Sequence, residues 1–148
     1  MKMDDFIKEI KSTEALSDIK WHQRLRPVKP TCGKLKGGLN KELTGALKAL
    51  GVRELFSHQA EAINIVDDGS NVVVMTPTAS GKSLIYNLTV LRAILKEPDT
   101  RALYLFPLKG LARDQLKTLD RFAENLGIEN LAKIYDGDTT AHQKKKIR

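Results

Sequence analysis

An unbroken apolar run, Val72-Val73-Val74-Met75, leads straight into Thr76-Pro77-Thr78-Ala79-Ser80-Gly81-Lys82-Ser83, and this succession constrains the chain more than any other feature. Four apolar residues without alternation predict a short strand buried on both faces, as in the interior of a parallel sheet. Pro77 to Gly81 predicts a turn. From Lys82 to about Lys96, Leu84, Leu88, Leu91 and Leu95 recur at helical spacing, and Pro98 with Asp99 closes the segment. Between a strand and a helix, Gly81-Lys82-Ser83 matches the second half of the phosphate-loop (Walker A, P-loop) pattern. Phosphate oxygens need donors free of side-chain bulk, and loop N–H groups at the positive end of a helix supply them. Thr78, Ala79 and Ser80 form the expected cradle and Gly81 allows close backbone approach. Lys82 is placed for the β and γ oxygens of ATP, and the Ser83 hydroxyl for Mg²⁺. The strict pattern has Gly where Thr76 stands. A tight turn with a surface lysine is the plain structural alternative.

The same alternation continues downstream. Ala102 to Phe106 predicts a second buried strand, Leu111 to Leu126 a helix using Leu116, Leu119, Phe122 and Leu126, and Leu131 to Tyr135 a third strand. A β-α-β-α-β order predicts an α/β fold with a parallel sheet and right-handed crossovers. Upstream, Asn40 is a candidate N-cap for a helix with Leu43, Ala46, Leu47 and Leu50 on one face, ended by Gly51; Ser57 is a candidate cap for the next, which runs to about Asp68. Phe6, Ile7, Ile10, Leu16 and Ile19 predict one or two short amphipathic helices at the start. Lys20 to Lys41 holds Arg24, Arg26, Lys29, Lys34 and Lys36 with no acid, and Pro27, Pro30, Gly33, Gly37 and Gly38 break regular structure, which predicts a basic connector with Trp21 as its anchor.

Length and composition set the outer limits. The 148 residues suffice for one compact domain, and 41% hydrophobic with 29% charged content belongs to a globular protein rather than a fibrous or disordered one. Cys32 stands alone, which excludes an intramolecular disulfide and a multi-cysteine zinc site; with no apolar stretch of membrane-spanning length, a cytoplasmic setting is expected. The formal charge of +7 favours a polyanionic partner, because Lys and Arg that neutralise phosphates release condensed counterions.

Three further runs accompany the phosphate loop: Leu55-Phe56-Ser57-His58-Gln59 before it, Leu103-Tyr104-Leu105-Phe106-Pro107-Leu108-Lys109 after it, and then Tyr135-Asp136-Gly137-Asp138-Thr139. In this order they resemble superfamily 2 helicases of the DEAD/DEAH-box type, and with Thr78 to Leu84 and Tyr86-Asn87-Leu88 they are similar to the MrfA-like, RecQ-related DNA repair helicases. The resemblance covers Leu39 to Arg148. It implies an incomplete RecA-like P-loop domain, residues 39–148, behind an N-terminal helical segment and basic connector, residues 1–38. It further implies that Gln59, with Phe56 beside it, meets adenine, and that Pro107, Lys109 and Gln115 lie along the nucleic-acid backbone, DNA or RNA. Asp138 then orders a loop near it. The family commonly has Thr where Leu108 stands and Ala where Gly110 stands, so one hydroxyl contact to phosphate is missing here. The closing Lys144-Lys145-Lys146-Ile147-Arg148 resembles the basic helix start that follows in the family.

The resemblance also implies what the chain lacks. Hydrolysis in that superfamily uses an Asp-Glu pair on a later strand and arginines from a second RecA-like domain, and neither lies within these residues. The expectation is the ATP- and nucleic-acid-binding opening of a DNA helicase, inactive without the downstream domains, with an exposed apolar edge at Val72 to Met75. Two other readings stay open: a non-catalytic nucleic-acid-binding module with a vestigial nucleotide loop, and a small P-loop kinase whose Walker-B-like acid comes from the Asp136-Gly137-Asp138 turn.

Overall fold

The computed structural model describes residues 2–13, 23 and 29–147. The readings made for Leu16, Ile19, Lys20, Trp21, Arg24, Arg26, Pro27 and Arg148 lie outside the described residues. The elements in order are α1 (Met3–Ser12), β1 (Cys32–Gly33), α2 (Lys41–Ala49), β2 (Leu55–Phe56), α3 (Ser57–Asp67), α4 (Lys82–Lys96), α5 (Lys109–Leu126) and α6 (Ala141–Ile147). No described helix is long and apolar enough to cross a membrane.

Local chemistry fixes most boundaries. Asn40 caps α2 by accepting from the Leu43 N–H at 2.9 Å. At its far end Val52 N–H reaches Leu47 C=O and Gly51 N–H reaches Lys48 C=O, the paired bonds of a Schellman stop. Helix α3 begins one residue earlier than expected: Phe56, not Ser57, is the N-cap, and Gln59 folds back so that its carboxamide oxygen accepts the Phe56 N–H at 2.9 Å. This is the second half of a capping box without the first. Helix α6 has both halves, Thr140 with Gln143.

Helices α2, α3, α4 and α5 share one core: Leu43 and Leu47 from α2, Ile63 from α3, Leu88 and Leu91 from α4, and Phe122 from α5. Full burial of such side chains stabilises by about 1.5–3 kcal/mol each. Asn87 is also buried there, and neither its oxygen nor its nitrogen has a partner among the described residues. The leucine spacing of α4 gave no hint of it. Helix α1 contributes nothing to this core.

The connector is docked rather than loose from residue 31 onward. β1 pairs antiparallel with β2, Cys32 opposite Phe56 and Gly33 opposite Leu55. A Cβ on Gly33 would lie 2.8 Å from the Ala60 Cβ, so glycine is what lets β1 approach α3. Asn64 of α3 then holds the next turn, accepting from Lys36 N–H at 2.9 Å and donating to Lys34 C=O at 3.3 Å, while Leu35 and Leu39 pack on the core.

The parallel sheet is where expectation and structure part. Among the described residues the two-residue pairing of β1 with β2 is the sole ladder, and no backbone hydrogen bond joins 71–76, 101–106 and 131–135. Burial in these segments nevertheless alternates with period two, as in extended chain: Val72 and Val74 pack on the core, whereas Val73 is 87% and Met75 90% exposed. Leu103 and Leu105 are exposed to 85% and 83%, with Tyr104 and Phe106 turned inward. Two-sided burial was inferred from an unbroken apolar run. It fails because the packed helices lie together in a single cluster and nothing described covers the other face.

Candidate functional site

The loop expected to receive phosphates connects residue 76 to the head of α4, and its backbone is bent by two left-handed residues, Ala79 at φ 59° and Gly81 at φ 74°. For alanine this conformation is strained; for Gly81 it is free, and the close neighbour there leaves no room for a side chain. A Cβ at 81 would sit 2.5 Å from the Gln59 Nε2.

Side chains from three directions hold the loop. Gln59 is buried, 3% exposed, and its Nε2 donates to Gly81 C=O at 2.9 Å while its oxygen takes the Phe56 N–H. The His58 Nε2 lies 3.1 Å from Ser80 C=O, and its ring stacks on Phe56 with centroids 5.8 Å apart. Thr76, the departure from the strict motif, has its hydroxyl 2.6 Å from the Ser80 hydroxyl. A glycine at 76 would leave Ser80 without that tie, so the substitution closes the loop.

Lys82 folds back into the loop. Its ammonium donates to Pro77 C=O at 2.7 Å and Thr76 C=O at 2.8 Å. The backbone N–H groups of Ser80, Gly81, Lys82 and Ser83 donate to no protein atom among the described residues. Unpaired donors at a helix head beside a lysine ammonium fit an anionic ligand, and the half-buried Ser83 hydroxyl one residue on fits a hard cation bound to it.

The second group of expected residues gathers at the start of α5. Pro107 and Leu108 are exposed, and Leu108 as N-cap offers no side-chain cap to the helix, a role Thr would fill. Lys109 pairs with Asp138 at 2.7 Å, and Arg113, one turn on and not anticipated from the sequence, approaches the same carboxylate at 3.8 Å. All three side chains are more than half exposed. Asp138 is presented by a turn in which the Asp136 carboxylate accepts the Asp138 N–H at 2.9 Å and Asp136 N–H donates to the Thr139 hydroxyl at 2.9 Å. Desolvation pushes the Asp136 pKa up, but the bonds from Asp138 and Thr139 and the charge of Lys109 outweigh it and hold the group below the usual carboxylate range. Gln115 is turned elsewhere: its oxygen accepts the Tyr86 hydroxyl of α4 at 2.9 Å. Tyr135, beside the turn, has Lys144 over its ring at 5.4 Å.

The structure thus brings Gln59 to Gly81 and Lys109 to Asp138. Thr76 was part of the expected loop and His58 was expected beside Gln59, whereas Tyr86 and Arg113 were expected in neither cluster. Only Arg113 was open to discovery from spacing, being four residues from Lys109.

Comparison with known proteins places these features in context. The DEAD/DEAH box helicase family model matches residues 56–148. ATP-dependent helicase YprA of Bacillus subtilis is 38% identical over 143 residues, covering 92% of this chain and 19% of YprA. ATP-dependent helicase HRQ1 of Saccharomyces cerevisiae is 41% identical over 95 residues, 63% of this chain and 9% of HRQ1. Among solved structures, the DUF1998 helicase MrfA bound to DNA and AMPPNP superposes with a TM-score of 0.80 at 35% identity, covering 99% of this chain and 20% of MrfA. The chain therefore spans about a fifth or less of the length of these relatives.

Proposed function

This chain belongs to the DEAD/DEAH box helicase family, and from that premise we propose that it is the part of an ATP-dependent DNA helicase that binds the ATP phosphates and one stretch of nucleic acid. In this reading Thr78 to Ser83 receive the phosphates, with Lys82 as the counter-charge and Ser83 as the protein ligand to Mg²⁺. Mg²⁺ there would neutralise charge between the β and γ oxygens. Phe56 and Gln59 border the adenine. Gln59 has already committed one lone pair and one N–H, yet keeps one of each, the pair that an adenine edge requires. Pro107, Lys109 and Arg113 follow the nucleic-acid backbone, where Asp138 now occupies the place of a phosphate oxygen.

The observation that carries this proposal is the bent loop with Lys82 inside it and four free N–H groups at the head of α4. A tight turn with a surface lysine would leave the ammonium in solvent, and this one is surrounded by loop oxygens. The same reading makes 71–76, 101–106 and 131–136 strands of a parallel sheet that further polypeptide completes. It also implies that ATP is bound but not turned over by these 148 residues alone, because no Asp-Glu pair or arginine finger is among the residues placed at the loop.

The test is a titration with a fluorescent MgATP analogue. Lys82→Ala removes charge-assisted hydrogen bonds worth about 1.5–3 kcal/mol, so affinity should fall roughly 10- to 150-fold. Equal affinity for the two proteins refutes the assignment, and phosphate transfer to a small acceptor would favour a kinase instead.

A further inference from the structure

Two neighbouring side chains in the first turn of α3 meet two neighbouring carbonyls of the loop. His58 Nε2 lies 3.1 Å from Ser80 C=O, and Gln59 Nε2 lies 2.9 Å from Gly81 C=O. A carbonyl oxygen can only accept, so the His58 Nε2 carries a proton and donates it. The direction of the bond and the ring's protonated nitrogen follow together. Nor does the bond alone set the ring's orientation, because the imidazole is half-buried and stacked on Phe56, centroids 5.8 Å apart and planes 24° from parallel.

What these two bonds fix is the tilt of two peptide planes. No described peptide bond is cis, and in a trans peptide the C=O of one residue and the N–H of the next point in opposite directions. With Ser80 C=O drawn toward His58, the Gly81 N–H faces away from α3. With Gly81 C=O drawn toward Gln59, the Lys82 N–H does the same. Gly81 sits between the two planes at φ 74° and ψ 28°, and left-handed backbone there lets successive N–H groups converge on one side as an anion nest. Neither N–H donates to a protein atom among the described residues. The plane most free to turn is 80–81, because a flip there changes φ of Gly81, and glycine accepts either sign. Among the described residues His58 alone reaches the Ser80 carbonyl.

We propose that His58 is a positioning residue for the nucleotide phosphates: by holding the Ser80 carbonyl it fixes the 80–81 peptide with the Gly81 N–H aimed at the anion. The proposal rests on the nucleotide-binding reading above. It assigns the His58 side chain a task separate from that of Gln59, whose bond orients the next peptide along.

NMR of the ¹⁵N-labelled chain reads both peptides. Without ligand, the His58 ring should carry its proton on Nε2. Addition of MgATP should move the Gly81 and Lys82 amide protons downfield as they bond to phosphate oxygens. His58→Phe keeps a ring for Phe56 to stack on and removes the donor. In that variant the Gly81 shift should be lost and the Lys82 shift, still set by Gln59, retained, a selectivity that a merely structural role would not produce. Affinity for a fluorescent MgATP analogue should fall about three- to tenfold, the factor one hydrogen bond supplies. His58→Gln offers an amide N–H in place of the ring's and should recover the Gly81 shift and most of the affinity. An undiminished Gly81 shift in His58→Phe, equal loss of the Gly81 and Lys82 shifts, or a wild-type ring protonated on Nδ1 alone overturns the positioning role while leaving nucleotide binding intact. The ring measurement needs no variant, so it decides even where His58→Phe fails to fold. A wild-type chain that binds no MgATP overturns the parent reading and this one together.

Discussion

Helix α4 has two very different neighbourhoods. Toward α3 and α2 it meets a closed core in which Leu88 and Leu91 have no solvent exposure at all. On the far side of the segments that flank it, Val73, Met75, Leu103 and Leu105 point into open solvent although they are as apolar as anything in the core. The contrast lies in layering rather than composition. A helix needs one apolar stripe covered, and the helical cluster covers it. A strand in the middle of an α/β sheet needs both faces covered and both edges paired, and only one face is covered here. The candidate phosphate loop sits on the seam. Its anchors, Gln59, His58 and Thr76, all belong to the closed side or the loop itself, so the loop is held although no sheet pairs its flanking segments among the described residues.

Truncation on each side separates the two environments most strongly. Leu88→Ala should cost about 2–5 kcal/mol in a thermal or urea melt, because the core around it cannot collapse fully into the space left. Leu105→Lys, at a side chain already 83% exposed, should change stability by no more than about 0.5 kcal/mol. It should also reduce concentration-dependent association in sedimentation velocity, since a contiguous exposed apolar face is a docking or aggregation surface. Similar melting losses from both variants would mean that the open side is covered in solution.

At the seam itself the expected effect is smaller. Gly81→Ala forces a side chain into a left-handed backbone conformation and against the Gln59 amide. Strain of about 1–2 kcal/mol and loss of one hydrogen bond of about 1 kcal/mol together give roughly 2–3 kcal/mol. Because Gln59 belongs to α3, the loss should appear both in the melting curve and as weakened nucleotide-analogue binding. An unchanged melt would show that the loop is hung on the closed side only loosely.

How far the sequence revealed all this follows the same division. Wherever structure depends on neighbours within a few residues, the reading held: the Asn40 cap, the Gly51 stop, and α4 running from Lys82 to Lys96. Pro77 to Gly81 gave the place of the bend before α4 because that bend is local. Signals that depend on distant surfaces were not legible. An unbroken Val72 to Met75 run says that two apolar faces exist and cannot say that both are covered. The basic stretch before α2 read as a loose connector, because the hydrogen bonds from Asn64 and the approach of Gly33 to Ala60 join residues about thirty apart. Gln59 was expected to face adenine. Its clamp on Gly81 could be foreseen only by knowing that α3 packs against the loop. Tyr86 and Gln115 lie 29 residues apart, and no periodicity predicts their contact.

The weakest expected effect on folding, and the most informative about the open side, comes from Asp138. Its ion pairs with Lys109 and Arg113 are exposed, and pairs of this kind contribute about 0–1 kcal/mol. Asp138→Asn preserves the side chain's shape and the N–H bond to Asp136, so the melting curve should hardly move. What changes is the competition for Lys109. A carboxylate 2.7 Å from the ammonium is a partner that a nucleic-acid phosphate must displace. Without the charge, single-stranded oligonucleotide should bind more tightly at low salt. Its affinity should also fall more steeply with salt, by about 0.7 in the slope of log K against log salt for each additional phosphate contact. If Asp138 instead serves to hold the loop in shape for nucleic acid, the same variant binds more weakly with an unchanged slope. The sign of the affinity change therefore decides whether this carboxylate acts as a stand-in for phosphate or as part of the frame.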